Sequence, residues 1–278
     1  MKIGQLCAMM VAEVSGLVTM ARAKKETPTL SPLTQLVQDT FLFRELEPAW
    51  LAQYLPPETL SVEKLFSNRP IYTAFLPNHF LDVLYVIVGE GLVVTRSTPL
   101  DRVIAINYPG SCFGMKSLPF SYGLASQAFP CLVEAYKTTH TIKIPLEAIK
   151  RLWEESSIFQ ERYRLLFELG EKFQYHLLNC STYPPQAVAS LLRALIYHER
   201  ELGNQPDEAG NYNFDLPVDV IARSCQLNQR TVEQVLKGMQ QANLLKSASG
   251  DCIKVIDTEG LKEVYSATRD KVNWWPLH

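Results

Sequence analysis

The residues best suited to chemistry lie between Asn228 and Lys237, where Gln229, Arg230, Thr231, Glu233, Gln234 and Lys237 gather in one short stretch. They make no nucleophile, acid and base set. They are long donors and acceptors, the groups that read base edges in a major groove. A guanidinium pairs bidentately with guanine and a carboxamide with adenine. Arg230 is the candidate guanine reader and Gln229 and Gln234 the adenine readers. Thr231 sits where a hydroxyl near a helix N-terminus meets a backbone phosphate, and Lys237 is placed for another. Arg223 and Lys246 add cations on either side. The bland alternative is an ordinary helical hairpin with a solvated polar face.

A second stretch, Gly110-Ser111-Cys112-Phe113-Gly114, fits G-x-C-x-G, the outline of a nucleophile elbow. That motif needs a strand-to-helix turn and a histidine partner. Pro119 and Gly123 interrupt any helix after it, and His79, His140, His176, His198 and His278 show no partner spacing. The turn therefore reads as structural, and the chain as a non-enzyme. The 6 cysteines are scattered without a C-x-x-C pair. That usage fits reduced, buried thiols of a cytoplasmic protein and not a zinc site or disulfide framework.

Two short helices must hold the polar face. Pro217 suits a first helical position, where its missing N–H costs nothing. Val220, Ile221, Ser224 and Cys225 follow at helical spacing, with small Ala222 where a second helix can cross closely. Asn228 is a good N-cap. After it Val232, Val235, Leu236 and Met239 form a buried stripe, leaving the polar residues on the opposite face. Leu244-Leu245-Lys246 and Cys252 to Ile256 are strand-like runs around the turn signal Ser249-Gly250. A hairpin directly after the second helix makes the unit a winged helix-turn-helix.

Over about residues 33–256 the chain resembles the Crp/Fnr superfamily of bacterial transcription regulators. The resemblance implies an α+β protein: an N-terminal double-stranded β-roll of the cyclic-nucleotide-binding kind, a long dimerisation helix, and the C-terminal winged unit. The corresponding boundaries are 1–32 for an N-terminal extension, 33–156 for the roll, 157–183 for the helix, 184–268 for the winged domain and 269–278 for a tail. It also implies a homodimer on double-stranded DNA with an inverted-repeat operator, and RNA polymerase as a further partner. Gly91, Gly110 and Gly114 fall where the family's roll has its turn glycines. Relatives that answer to cyclic AMP show Arg, Glu and Arg on the reading helix, where this chain has Gln229, Arg230 and Gln234. Gln226 stands at the usual turn glycine.

Residues 113–135 occupy the place of the family's phosphate-binding cassette. An effector pocket there would involve Gly114, Met115, Lys116, Ser117, Phe129 and Pro130. Cyclic-AMP binders have Glu after the glycine and Arg further on. Here Met115 follows Gly114, no Arg occurs from 115 to 130, and Lys116 is the one charge in that interval. A buried phosphate without a cationic partner is costly, which argues against cyclic AMP. Two alternatives stay open: an unidentified, less charged effector, or a cassette filled by Phe120, Tyr122 and Phe129. No cofactor is assigned, and with Cys7 alone near the N-terminus an iron–sulfur cluster is not expected.

The remainder of the 278 residues fits this order. Lys2, Glu13 and the sequence to Ala23 make a poor signal peptide, and residues 3–20 read as an extra N-terminal helix. No other apolar run is long enough to span a membrane. Two short helices are expected between Leu33 and Leu55. Strands follow over Leu60–Phe66, Ile71–Phe75, Val83–Val88, Leu92–Thr95, Val103–Tyr108, Cys131–Tyr136 and Thr141–Ile144, the pattern of a small roll. After a helix at Pro145–Trp153, Phe159, Tyr163, Leu166, Gly170, Phe173 and Leu177 repeat in alternating steps of four and three. That is a heptad seam, read as the dimer contact, with packing of the stripe on its own domain as the alternative. Tyr183-Pro184-Pro185 reads as a chain break, Gln186–Leu202 as a helix, and Tyr212–Leu216 as a strand. Asp257 or Thr258 would cap a last helix, and Trp274 and Trp275 lie in a tail without a family counterpart. Net charge is −2, so any nucleic-acid affinity must come from a local patch. The competing function class is a ligand-sensing or protein-binding adaptor on the same scaffold, without DNA readout.

Overall fold

Strands of alternating burial build the first half of the chain. The computed structural model describes residues 31–67, 69–72, 83–98, 101–115, 131–179, 181–247, 252–267 and 272–275. The readings made of residues 1–30, of the cassette from Lys116 to Pro130 and of the Ser249-Gly250 turn lie outside them. In β7 (Cys131–Ala135), Cys131, Val133 and Ala135 turn inward and Leu132 and Glu134 outward. Such a period of two puts one face on a core.

Strands β1 (Ser61–Leu65), β8 (Thr139–Pro145), β3 (Val83–Ile87) and β6 (Cys112–Phe113) pair antiparallel in that order. A second sheet orders β2 (Ile71–Tyr72), β7, β4 (Val93–Ser97) and β5 (Arg102–Asn107). Leu84 faces Ile144 in the first sheet, and Val93 faces Ala135 in the second. Between them lies a small core of Leu65, Tyr85, Ile87, Val93, Phe113, Val133 and Ala135. The Tyr85 and Phe113 rings stack at 4.7 Å between centroids. Gly110 is required where it stands: its φ is +83°, and a Cβ would come 2.6 Å from the Asp39 carbonyl oxygen. Strand β6 lies within the stretch whose sequence reads as a turn, because two residues are too few to show a period.

Helices α1 (Pro32–Asp39) and α2 (Pro48–Tyr54) cover the first sheet together with α3 (Leu146–Glu155). The long helix α4 (Ser157–Leu178) starts at Ser156, whose hydroxyl accepts the Phe159 N–H at 3.2 Å. Most of its heptad seam is covered by the chain's own cores. Phe159, Tyr163 and Leu166 are buried in the core under α1 to α3, and Phe173 and Leu177 in a second core further on. Phe167, Leu169 and Gln174 are buried beside them. The stripe is thus wider than a coiled-coil seam, as a helix lying across its own domain requires. Gly170 is exposed, toward a cavity in the roll. Glu161, Arg164, Glu168, Lys172 and Tyr175 make the outer face of α4.

The chain break expected at Tyr183-Pro184-Pro185 falls between α4, which ends at Leu178, and α5 (Pro184–Glu201), with Tyr183 as N-cap and both prolines in the first turn of α5. Proline fits a first turn because its absent N–H has no partner to lose there. Strand β9 (Tyr212–Asp215) leads to α6 (Val218–Cys225) and α7 (Gln229–Gln241). Then β10 (Leu245–Ser247) and β11 (Cys252–Val255) form a sheet with β9 in the order β10-β11-β9. Helix α8 (Thr258–Ser266) closes the unit, capped by Asp257, whose side chain accepts the Gly260 N–H at 2.8 Å. The core of this winged unit runs on into Leu92, Val94, Val103 and Ile106 of the roll's second sheet. Tail residues Trp274 and Trp275 pack on the same core, and Val272 of the tail is buried. Among the described residues no helix is long and apolar enough to cross a membrane.

Candidate nucleic-acid interface

Helix α7 divides cleanly. Val232, Val235, Gly238 and Met239 are buried, and each buried aliphatic side chain contributes roughly 1.5–3 kcal/mol to holding the helix on its unit. Asn228, Gln229, Arg230, Glu233, Gln234 and Lys237 are exposed, and Thr231 is half-buried. The sequence-derived face therefore exists as one surface, except for Arg223 and Lys246.

Asn228 caps α7. Its side-chain oxygen accepts the Thr231 N–H at 2.8 Å and the Thr231 hydroxyl at 2.9 Å. That fixes the first turn, next to Gln229 and Arg230. Gln226 ends α6 in the left-handed conformation, φ +54° and ψ +42°. A side chain there costs about 1–2 kcal/mol, which glycine avoids. Even so the turn closes, with the Leu227 N–H donating to the Ala222 carbonyl at 2.9 Å. Substituting Gln for Gly has left the two-helix geometry in place.

Arg223 is a correction. It is half-buried and turned toward the roll, with one guanidinium nitrogen 2.7 Å from Asp219 and another 3.6 Å from Glu134 of β7. A guanidinium held between two carboxylates is not available to a phosphate. It belongs to a contact fastening α6 and β9 to the second sheet. The Tyr136 hydroxyl donates to Asp219 at 3.1 Å, the Tyr108 hydroxyl to the Asp215 carbonyl at 3.2 Å, and Lys137 pairs with Asp215 at 2.9 Å. Glu134 also takes Arg96 at 2.5 Å, and Arg96 reaches Asp101. Burial, the largest cause, pushes the Tyr108 phenol far above its ordinary range, so it stays a donor. Sequence reasoning missed this network because partners such as Tyr136 and Asp219 are 83 residues apart, with no local pattern to join them.

Lys246 lies on the wing strand β10, opposite Lys254 of β11, and is exposed. Lys254 is tied to Asp207 at 2.7 Å. Asp207 also accepts the Asn211 N–H and side-chain amide at 2.8 Å. Lys254 and these donors hold its carboxyl well below the usual carboxylate range. Arg230, Lys237 and Lys246, by contrast, pair with no carboxylate among the described residues.

The roll carries a cavity of about 200 Å³ lined in part by Gly114, Met115, Cys112, Ile104, Phe167 and Gly170. Of the expected pocket, Gly114 and Met115 are there, while Lys116, Ser117, Phe129 and Pro130 lie outside the described residues. Glu171 and His198 are in the lining beside the thiols of Cys112 and Cys131, and no Arg or Lys is among the described lining. Burial holds His198 below its ordinary value. Among the described residues no group of His, Cys, Asp and Glu is arranged to hold a metal ion.

No family model matches the chain, and no curated protein matches it in sequence. Solved structures do match. FixK2 from Bradyrhizobium japonicum is 15% identical, with 75% of this chain and 98% of that one covered at a TM-score of 0.56. A mutant of CooA from Carboxydothermus hydrogenoformans is also 15% identical, with 80% of this chain and 92% of that one covered at 0.56. This chain has their fold, with a β-roll, a long helix and a winged helical unit.

Proposed function

We propose that the chain is a sequence-specific DNA-binding transcription regulator of the Crp/Fnr type that acts as a homodimer. The observation that carries this is the outer face of α7. It presents Gln229, Arg230, Gln234 and Lys237 to solvent on a capped helix, with its cations unpaired among the described residues. Neighbouring cations are spent on structure: Arg223 on Asp219 and Glu134, Lys254 on Asp207. Lys246 on the wing adds a contact beside the same groove.

In this reading Arg230 takes a guanine edge, Gln229 and Gln234 take adenines, and Glu233 accepts from cytosine. Lys237 and Lys246 touch phosphates and set register. One short helix reaches only a few base pairs, so a useful specificity ratio needs two copies on half-sites about one turn apart. The shared fold supports the same arrangement. Burial of Phe159, Tyr163, Leu166, Phe173 and Leu177 in the chain's own cores favours a twofold contact through other residues. The described lining of the roll cavity supports an uncharged or weakly charged effector over cyclic AMP, and RNA polymerase is the natural further partner for a regulator of this type.

The test starts with DNA recovered by immunoprecipitation from cells, followed by titration on the enriched sequence. Arg230→Ala should cost about 1–3 kcal/mol of discrimination at one symmetric base position. Lys237→Ala should weaken all sequences alike and lower the salt slope by about 1. If the folded parent enriches no sequence and prefers none in vitro, the reading is wrong and the adaptor class takes its place.

A further inference from the structure

A second cavity, of about 280 Å³, lies where α4, α5 and α8 meet, apart from the reading face. Its lining is one-sided in charge. Lys172 and His176 come from α4 and Arg193 from α5, and no carboxylate is among its lining residues. The Arg193 guanidinium lies over the Tyr265 ring at 4.6 Å to the centroid, a stacking that holds its planar fork while leaving N–H groups free to donate. Neither Lys172 nor Arg193 pairs with a carboxylate among the described residues. The His176 ring is fixed by Ser190, whose hydroxyl it meets and whose carbonyl lies 3.2 Å away.

The other walls are apolar. Phe173 is buried at the base, and Tyr197 and Tyr265 stand at the rim with 46% and 42% of their surface exposed. Exposed tyrosines beside unpaired cations are a poor arrangement for a structural surface. They are a good one for a ligand with a flat apolar body and a negative end, since a ring stacks between tyrosines and a carboxylate or phosphate bridges Lys172 and Arg193. At about the lower limit of ligand cavities, the volume suits a single ring and not a nucleotide.

We propose that this cavity binds a small organic anion, one ring bearing a carboxylate or phosphate, with Arg193 and Lys172 as its charge partners. The assignment stands whether or not α7 reads DNA. An occupant would touch α4 of the roll side and α5 and α8 of the winged side at once. It would also lie next to His198, which lines both this cavity and the one in the roll.

The test is a titration of the full chain with benzoate and with phenyl phosphate, followed by ligand-observed nuclear magnetic resonance up to about 10 mM, with neutral benzamide as the control. At least one anion should saturate while benzamide does not, and the preferred anion identifies the headgroup. Losing one charge-assisted bond should weaken binding about 10- to 100-fold in Arg193→Gln. Lys172→Gln, at an exposed position that leaves folding untouched, should weaken it in the same sense, and Arg193→Lys by less than Arg193→Gln. Ile104→Phe, which narrows the roll cavity, should leave binding unchanged. No saturation by either anion, equal binding of benzamide, indifference to Lys172→Gln, or loss of binding in Ile104→Phe with the fold intact would each overturn the assignment. DNA binding is measured separately, so failure here leaves the reading of α7 standing, and the converse holds.

Discussion

Gly238 sits in the buried face of α7, and the indole of Trp274 fills the space beside it. A Cβ at Gly238 would overlap that ring, approaching its Cζ3 at 2.7 Å. Two opposing effects set the outcome of Gly238→Ala. Replacing glycine by alanine within a helix gains about 1 kcal/mol. Forcing a methyl into a filled notch costs about 1–3 kcal/mol, because the ring is held against the core that Trp275 also packs on. In the parent chain the two nearly cancel or the substitution destabilises, by up to about 2 kcal/mol. In a Trp274→Ala background the notch is empty and only the helix gain remains, so the same substitution should stabilise by about 1 kcal/mol. The sign reverses, and the coupling energy is about 1–3 kcal/mol. Urea unfolding of the four proteins, followed by circular dichroism, measures it. If Gly238→Ala stabilises parent and Trp274→Ala chains equally, with coupling below about 0.5 kcal/mol, Trp274 does not occupy the notch and the tail is not part of this core.

Two further outcomes follow from burial. Leu166→Glu places a carboxylate where the side chain is 5% exposed, in the core beneath α1 to α3. An unpaired buried charge costs several kcal/mol, about 3 or more. Circular dichroism and sedimentation should therefore show loss of the fold; a folded, monomeric variant would restore the seam as an intermolecular contact. Burial also pushes the Cys112 thiol up to about 12 and Cys131 up to about 11. Both folded values lie above the unfolded one of about 8.5, so the thiols' contribution to stability is full below that pH and lost as pH rises from there toward 11 or 12. Urea midpoints should fall between pH 8 and pH 10, less steeply in Cys112→Ala, and native Cys112 should resist iodoacetamide at pH 8. Rapid alkylation of the folded chain at Cys112 would refute the burial argument.

What was legible in the sequence was whatever depends on neighbours along the chain. The cap at Asn228, the buried Val232, Val235 and Met239, the paired runs of the roll and the wing hairpin all rest on periods of two or 3.6. The polar face of α7 was legible for the same reason, since it is the complement of that buried stripe. The glycine at 110 was legible as a turn, but its cause, the Asp39 carbonyl at 2.6 Å from any Cβ, was not. The seam of α4 misled because a heptad spacing states only that one side of a helix is covered. Which chain covers it depends on the helices and sheet lying across it, and here they are the chain's own α1 to α3 and α5. Arg223 misled similarly: on α6 its position is that of a flanking cation, and only the approach of β7 brings Glu134 to it. The cavity between α4, α5 and α8 and the Trp274 notch could not be read at all, and the roll cavity only through Gly114 and Met115, since each is made by segments far apart in sequence. Local periodicity thus determined the elements and the polar face of α7, while the meeting of distant surfaces decided which charged and apolar groups are already spent.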